Sequence, residues 1–286
     1  MNASFKLFLF CLFCFALPLA NGFGNDNGTI EWVIPVQPQV EQNEEQELKE
    51  GEPGYRMVLK INNVEFPFRW CPPGTFMMGS PASEQNRSED ETQHQVTLSR
   101  GFWMLETEVT LEMWENVMGN SPNALKEEKR PVETISWYNC LDYVLQLNSL
   151  DVAPVNYRFA LPTETQWEYA CRAGTTTPFH FGMTIDRDNA IFGKNTGRTM
   201  DVGLFPANAW GLHDMHGNVW EWCMDEYNVY GTVTAPSGSS SGASRVLRGG
   251  GWFHASEDCR SAARRSREPT ARNNAIGVRL VLISTK

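Results

Sequence analysis

The chain has 286 residues, a net charge of −10 and 41% hydrophobic residues, including 10 Trp. The acidic balance argues against nucleic acid and anionic membrane surfaces as partners, since both are themselves polyanions. The length suits one large domain or two small ones, with enough apolar residues for a sizeable core.

The N-terminus has the pattern of a secretory signal. Lys6 precedes an almost wholly apolar run, Leu7 to Leu19, and Ala20 and Gly22 are small residues suited to cleavage. The run falls short of the roughly 20 apolar residues of a membrane span, and Pro18 breaks it. Cys11 and Cys14 lack the small residues of a lipobox ahead of them. Residues 1–20 are therefore expected to be a signal peptide, and the mature protein to be secreted or periplasmic without a membrane span. Cys71, Cys140, Cys171, Cys223 and Cys259 remain. Export permits disulfides, and the odd count leaves at least one thiol free or bridged to another chain.

Residues 21–54 are polar and then acidic (Glu41, Glu44, Glu45, Glu47, Glu50, Glu52), which reads as a disordered spacer before a domain at 55–286. From Met57 to Trp70, two runs of strand character flank the turn pair Asn62-Asn63. Pro72-Pro73-Gly74 breaks the chain, and Val96 to Glu108 returns to strand-like composition. Three helices follow. Thr110 caps the first, with Leu111, Trp114 and Val117 on one face and Gly119 as terminator. Ser136 caps the second, where Trp137, Cys140, Leu141, Val144 and Leu145 fall at helical spacing. The third opens on the capping box Thr163 to Gln166 and is ended by Gly174. Beyond it the chain is loop-rich. Such a stretch needs pinning by aromatics, disulfides or metal ions, and Ser237 to Ser244 reads as a flexible loop.

Several residues invite a chemical reading beside a plainer one. His213 and His216 have a His-x-x-His spacing, but no third zinc ligand follows, which favours two loop histidines. Cys140 belongs to the core; Cys71 and Cys223 are open between buried thiols and a further disulfide. Arg260, Arg264, Arg265, Arg267 and Arg272 form a basic cluster. Ion pairing within an acidic chain is the preferred reading, and two-pronged binding of a carboxylate or sulfate is the other. Trp220, Trp222 and Trp252 suit core packing, with one or two left to line a ligand groove.

One succession carries more. Pro73 to Ser80, Glu106-Thr107-Glu108-Val109-Thr110, Leu161 to Glu164, Trp167 to Arg172, Gly217-Asn218-Val219-Trp220-Glu221-Trp222, Arg248-Gly249-Gly250 and Gly277-Val278-Arg279 stand in this order between Phe66 and Leu282. Together they resemble the formylglycine-generating enzyme (sulfatase-modifying factor) family. The resemblance implies a single loop-rich α+β domain, related to the C-type lectin-like fold and low in regular secondary structure. It implies a calcium site at Asp214, Gly217, Val219 and Glu221, with oxygen donors of the kind calcium takes, and a second at Asn189 and Ala190. It also implies a structural disulfide between Cys171 and Cys259.

The family's enzymes use O2 and Cu(I) held by two cysteines to oxidise a sulfatase cysteine, and soft thiolates suit that metal. Here His254 stands at the first of those cysteines and the second has no counterpart. Gly251 replaces the active-site Ser and Ala275 an Asn, while Arg264 matches. Calcium is thus the expected cofactor, and copper or iron is not. The expected function is an exported scaffold that binds a protein or peptide partner, with Trp252 and Arg264 as binding candidates. The alternative is a divergent metal-dependent oxidase acting on a cysteine or thiol of an exported protein such as a sulfatase, with His254 and Arg264 as catalytic candidates.

Overall fold

The computed structural model describes residues 51–194, 196–228 and 243–286. The expected signal peptide and all but the end of the expected spacer lie outside them, as does most of the Ser237 to Ser244 loop. All elements below belong to the unit Gln39–Lys286. Among the described residues no helix is long and apolar enough to cross a membrane.

Local signals set the first elements. β1 (Arg56–Ile61) and β2 (Val64–Cys71) pair antiparallel around Asn62 and Asn63, with φ of 47° and 69°. Asparagine tolerates that left-handed conformation, which matches the twist of a two-residue hairpin. β3 (Gly74–Met78) and β4 (His94–Leu98) form a separate two-stranded ribbon, and β5 (Phe102–Leu105) follows.

α1 (Leu111–Met118) opens on Thr110 Oγ1, which accepts from Met113 N, and stops at Gly119 in the left-handed conformation. α2 (Trp137–Ser149) opens on a reciprocal Ser136–Asn139 box. β6 (Tyr157–Ala160) leads into α3 (Glu164–Arg172), which has the expected Thr163–Gln166 box. Its C-terminus differs by one residue from expectation: Ala173, at φ 42°, turns the chain before Gly174 does.

The loop-rich half still contributes strands: β7 (Trp220–Glu226), β8 (Arg245–Arg248), β9 (Arg265–Arg267), β10 (Ile276–Gly277) and β11 (Val281–Ser284). β11 closes a five-stranded antiparallel sheet in the order β1-β2-β5-β11-β6. A second sheet runs β10-β7-β8-β9, with β10 parallel to β7 and β9 at the edge. The main core gathers Trp70, Trp103, Trp114, Trp137, Trp220 and Trp222 with the inner faces of α1 and α2. A smaller one sets Trp167 and Cys171 of α3 against Cys223, Leu212 and Met215. The fold is thus a single loop-rich α+β domain.

Candidate functional site

Strand period sorts Trp220-Glu221-Trp222: both indoles enter the main core and Glu221 turns to the other face. A carboxylate buried there alone would be costly. It accepts from Trp167 Nε1 at 2.6 Å and from Arg279, through Nη2 at 2.8 Å and Nε at 3.0 and 3.1 Å. Arg279 also donates to the Leu105 and His213 carbonyls.

Two further buried carboxylates feel the same guanidinium. Glu108 accepts from Asn218 Nδ2 at 3.2 Å and Val219 N at 3.4 Å, and Asp214 from Gly203 N at 2.6 Å. Burial and the neighbouring charges of Asp214 and Glu221 push Glu108 well above the usual carboxylate range, and burial raises Asp214 too. Three carboxylates therefore share one arginine, and that arginine makes its ion pair with Glu221.

The loop beneath is held by backbone. Gly217 has φ +97°, and a Cβ there would lie 2.2 Å from the Ile191 carbonyl oxygen. Asn218, at φ 59°, donates to that same carbonyl at 2.9 Å. Its side chain bridges Met200 to Glu108, and its carbonyl accepts from Trp252 N at 2.8 Å. Asn218 thereby ties the carboxylate cluster to the surface that carries His254.

The expected calcium ligands have unequal partners. Asp214 stays with the cluster, Gly217 and Val219 lie on the same loop, and Glu221 is drawn to Arg279. Glu108, to which the sequence pattern assigned no role, takes the place beside Asp214. Among the described residues, no group of three or more His, Cys, Asp or Glu side chains is gathered as a metal site. At the second expected site Ala190 is buried and Asn189 half-buried, while the nearby Asp186 and Asp188 are exposed.

His254, half-buried, stacks on Phe253 at 4.1 Å, and its Nδ1 lies 3.2 Å from Trp220 Nε1. An indole N–H only donates, so Nδ1 accepts and the proton of the neutral ring sits on Nε2. Burial and the Arg265 guanidinium hold this imidazole neutral, lowering its pKa to about 4. A ring in that state offers a donor, not a lone pair, to anything that meets Nε2. Trp252 spans the same surface, donating from Nε1 to the Asn274 carbonyl at 2.9 Å.

Arg264 is withdrawn from that surface. Its guanidinium makes a two-pronged pair with Glu164 at 2.6 and 2.9 Å, donates to the Asp90 and Asn228 carbonyls and lies over Tyr227. The expected role of Arg264 in catalysis or ligand binding thus falls on a guanidinium already engaged with Glu164 and two backbone carbonyls. Arg260 is committed in the same way to Glu84 and Glu91. Arg172 and Arg248 both meet Glu168, and Arg248 lies over Trp167.

The expected Cys171–Cys259 disulfide is also corrected, since both are free thiols. Cys171 Sγ faces His216 Nε2 at 3.8 Å, Ser261 Oγ at 3.6 Å and the Met215 carbonyl. The His216 ring continues from there to the Cys259 carbonyl, 2.7 Å from Nδ1, while Cys259 Sγ is directed to the Ala255 carbonyl. Burial pushes the Cys171 thiol up to about 12 and the Cys259 thiol higher still. Such thiols are inert rather than nucleophilic. Cys71, Cys140 and Cys223 are likewise free and buried. His213 Nδ1 lies 2.7 Å from the Phe205 carbonyl, so His213 and His216 have separate partners and do not converge.

Comparison with known proteins bears on the family and the fold. A profile of the sulfatase-modifying factor enzyme 1-like domain matches residues 68–283. The mouse formylglycine-generating enzyme is 30% identical over 207 residues, 65% of this chain and 52% of its own length. A serine/threonine-protein kinase pkn1 of Chlamydia caviae is 37% identical over 158 residues, 53% of this chain and 24% of its own length. The chain thus spans only about half of the one relative and a quarter of the other. Among solved structures, PvdO from Pseudomonas aeruginosa is 25% identical with a TM-score of 0.70, over 81% of this chain and 99% of its own. Treponema denticola variable protein 1 is 26% identical with a TM-score of 0.69, over 79% and 98%. The chain belongs to the sulfatase-modifying factor enzyme 1-like domain family.

Proposed function

We propose that the protein is an exported, calcium-stabilised scaffold that binds a protein or peptide partner and does not carry out ordinary formylglycine synthesis. The observation that carries this reading is His254. It stands where the family's enzymes place a copper thiolate, its Nδ1 is committed to Trp220, and the five described cysteines are buried free thiols, with Cys259 Sγ turned to the Ala255 carbonyl. The signal-like N-terminus supports export. Two half-buried aromatic residues, Trp252 and Phe253, support partner binding at the His254 surface. The acidic net charge supports a partner other than nucleic acid.

Calcium rests on charge and donor type. With Glu221 held by Arg279, the carboxylates of Glu108 and Asp214 lack an ion pair among the described residues, and the carbonyls of Gly217 and Val219 share their loop. Hard oxygen donors of this mix suit calcium, and a divalent cation would supply the missing positive charge. Because burial raises the Glu108 carboxyl, binding there would compete with its protonation. Calorimetric titration of the chelator-treated protein with calcium is expected to show saturable binding with proton release near neutral pH. That release would appear as a dependence of the heat on the buffer's ionisation enthalpy. Glu108→Gln should lose both. Saturable binding that survives Glu108→Gln unchanged would place calcium elsewhere, and no binding by the wild type would remove it from the proposal.

A further inference from the structure

We infer that the edge of the second sheet beside His254 is a binding site for an oxyanion, a carboxylate or sulfate group, held by Arg265, Arg267 and the His254 Nε2–H. The inference rests on the proposal that the His254 surface is where a ligand docks, and it names the ligand's chemistry.

Register places the cations. Arg265 lies opposite Leu247 and Arg267 opposite Arg245, so residues two apart on β9 share one face with Arg245 of β8. Like charges directly opposite each other destabilise a sheet. Arg245 finds relief in Glu226 at 3.6 Å and in the Trp137 ring at 4.1 Å. Arg260 and Arg264, in the same stretch of chain, have two-pronged carboxylate partners. Among the described residues Arg265 and Arg267 have none. Asp258 alone offers Arg265 a favourable charge, whereas burial and Arg267 lower its hold on its proton. A half-buried guanidinium short of a partner in a chain of net charge −10 is unusual, because acidic residues outnumber basic ones by 34 to 24.

The same spot is equipped for recognition. The Arg265 guanidinium carbon lies 5.6 Å from the centre of the Trp220 ring, whose N–H fixes the His254 tautomer at 3.2 Å. Indole, imidazole and guanidinium are thus positioned relative to one another by contacts within the fold. The imidazole presents Nε2–H, the polarity an anion needs, and Arg267 is exposed at the sheet edge. Arginine's planar fork matches the geometry of a carboxylate or sulfate. The neighbouring Trp252 and Phe253 rings would border the remainder of the ligand.

The test is a titration of the full folded chain with sodium sulfate, and separately sodium acetate, at constant ionic strength. It follows the Arg265 Nε–H and His254 Nε2–H resonances by NMR. Saturable shifts are expected for the wild type and for Arg272→Gln, an exposed arginine outside β9. The apparent affinity should fall about tenfold or more in Arg265→Gln, on the scale of a lost charged hydrogen bond. Unfolding curves confirm that each variant is folded. Shifts that grow linearly without saturating, or equal affinities in Arg265→Gln and Arg272→Gln, would overturn the site. A calcium titration of the same samples separates the two ideas. Intact calcium binding without sulfate binding defeats only the oxyanion site, whereas copper or iron held through His254 defeats the reading beneath it.

Discussion

Arg279→Met is expected to destabilise the protein by about 3–5 kcal/mol near pH 7, the usual cost of breaking a buried ion pair by removing one partner. The mechanism is specific to the three carboxylates around it. Arg279 makes its ion pair with Glu221 and also lowers the charge cost of Glu108 and Asp214. Without it, Glu108 and Asp214, already raised by burial, take a proton still more readily in the folded state than in the unfolded chain. Where the folded protein binds more protons than the unfolded one, stability falls as pH rises. The deficit should therefore be larger at about pH 8 than at about pH 5, where protonation discharges the cluster. Adding Glu221→Gln to Arg279→Met should restore part of the loss, since the orphaned charge is then gone. Denaturant unfolding at the two pH values measures this. A pH-independent loss under about 1 kcal/mol would show that the cluster is not the electrostatic centre described above.

Gly217→Ala is expected to cost at least about 3 kcal/mol, well beyond a routine glycine substitution. Two causes add. At φ +97° any side chain is strained, by roughly 1–2 kcal/mol. The new Cβ would also sit 2.2 Å from the Ile191 carbonyl oxygen, a backbone atom that also accepts the Asn218 N–H. Relieving that overlap moves the chain at 191 or the loop at 217, and both hold Asn218 between the carboxylate cluster and Trp252. Gly197→Ala is the matched control, with φ +70° and nothing within 4 Å of the added Cβ. It should show the strain alone, about 1–2 kcal/mol. Thermal unfolding of the pair checks the difference, and equal losses would mean that the loop at 217 yields freely.

The parts of the fold that sequence revealed are those decided locally. Thr110, Ser136 and Thr163 begin helices because a side-chain oxygen meets a backbone N–H two or three residues on, and nothing distant is needed. Asn62-Asn63 specifies its hairpin for the same reason. The second sheet was illegible because its strands break the usual alternation. β8 reads Arg245-Val246-Leu247-Arg248, with all four residues buried. Arg248 is tolerated there because Glu168, from an element 80 residues earlier, and the carbonyls of Ser261, Ala262 and Ala263 meet it. Glu108 and Arg279 lay within motifs that marked the family, yet nothing local to either residue announces a shared buried cluster. The disulfide expectation failed on a different point. The resemblance matched both cysteine positions, but it gave no sign that the His216 ring would run from Cys171 to the Cys259 carbonyl. Arg264 matched the family pattern in sequence, and nothing local to it announces the Glu164 pair made from 100 residues earlier in the chain.

The most direct measurement is the metal content of the protein, purified without chelator, by elemental mass spectrometry, with His254→Ala alongside. Stoichiometric calcium in both proteins, with neither copper nor iron, is the expected result for a scaffold whose His254 serves as a hydrogen-bond donor. Copper or iron near one per chain that disappears in His254→Ala would contradict it, and would return the protein to the oxidases.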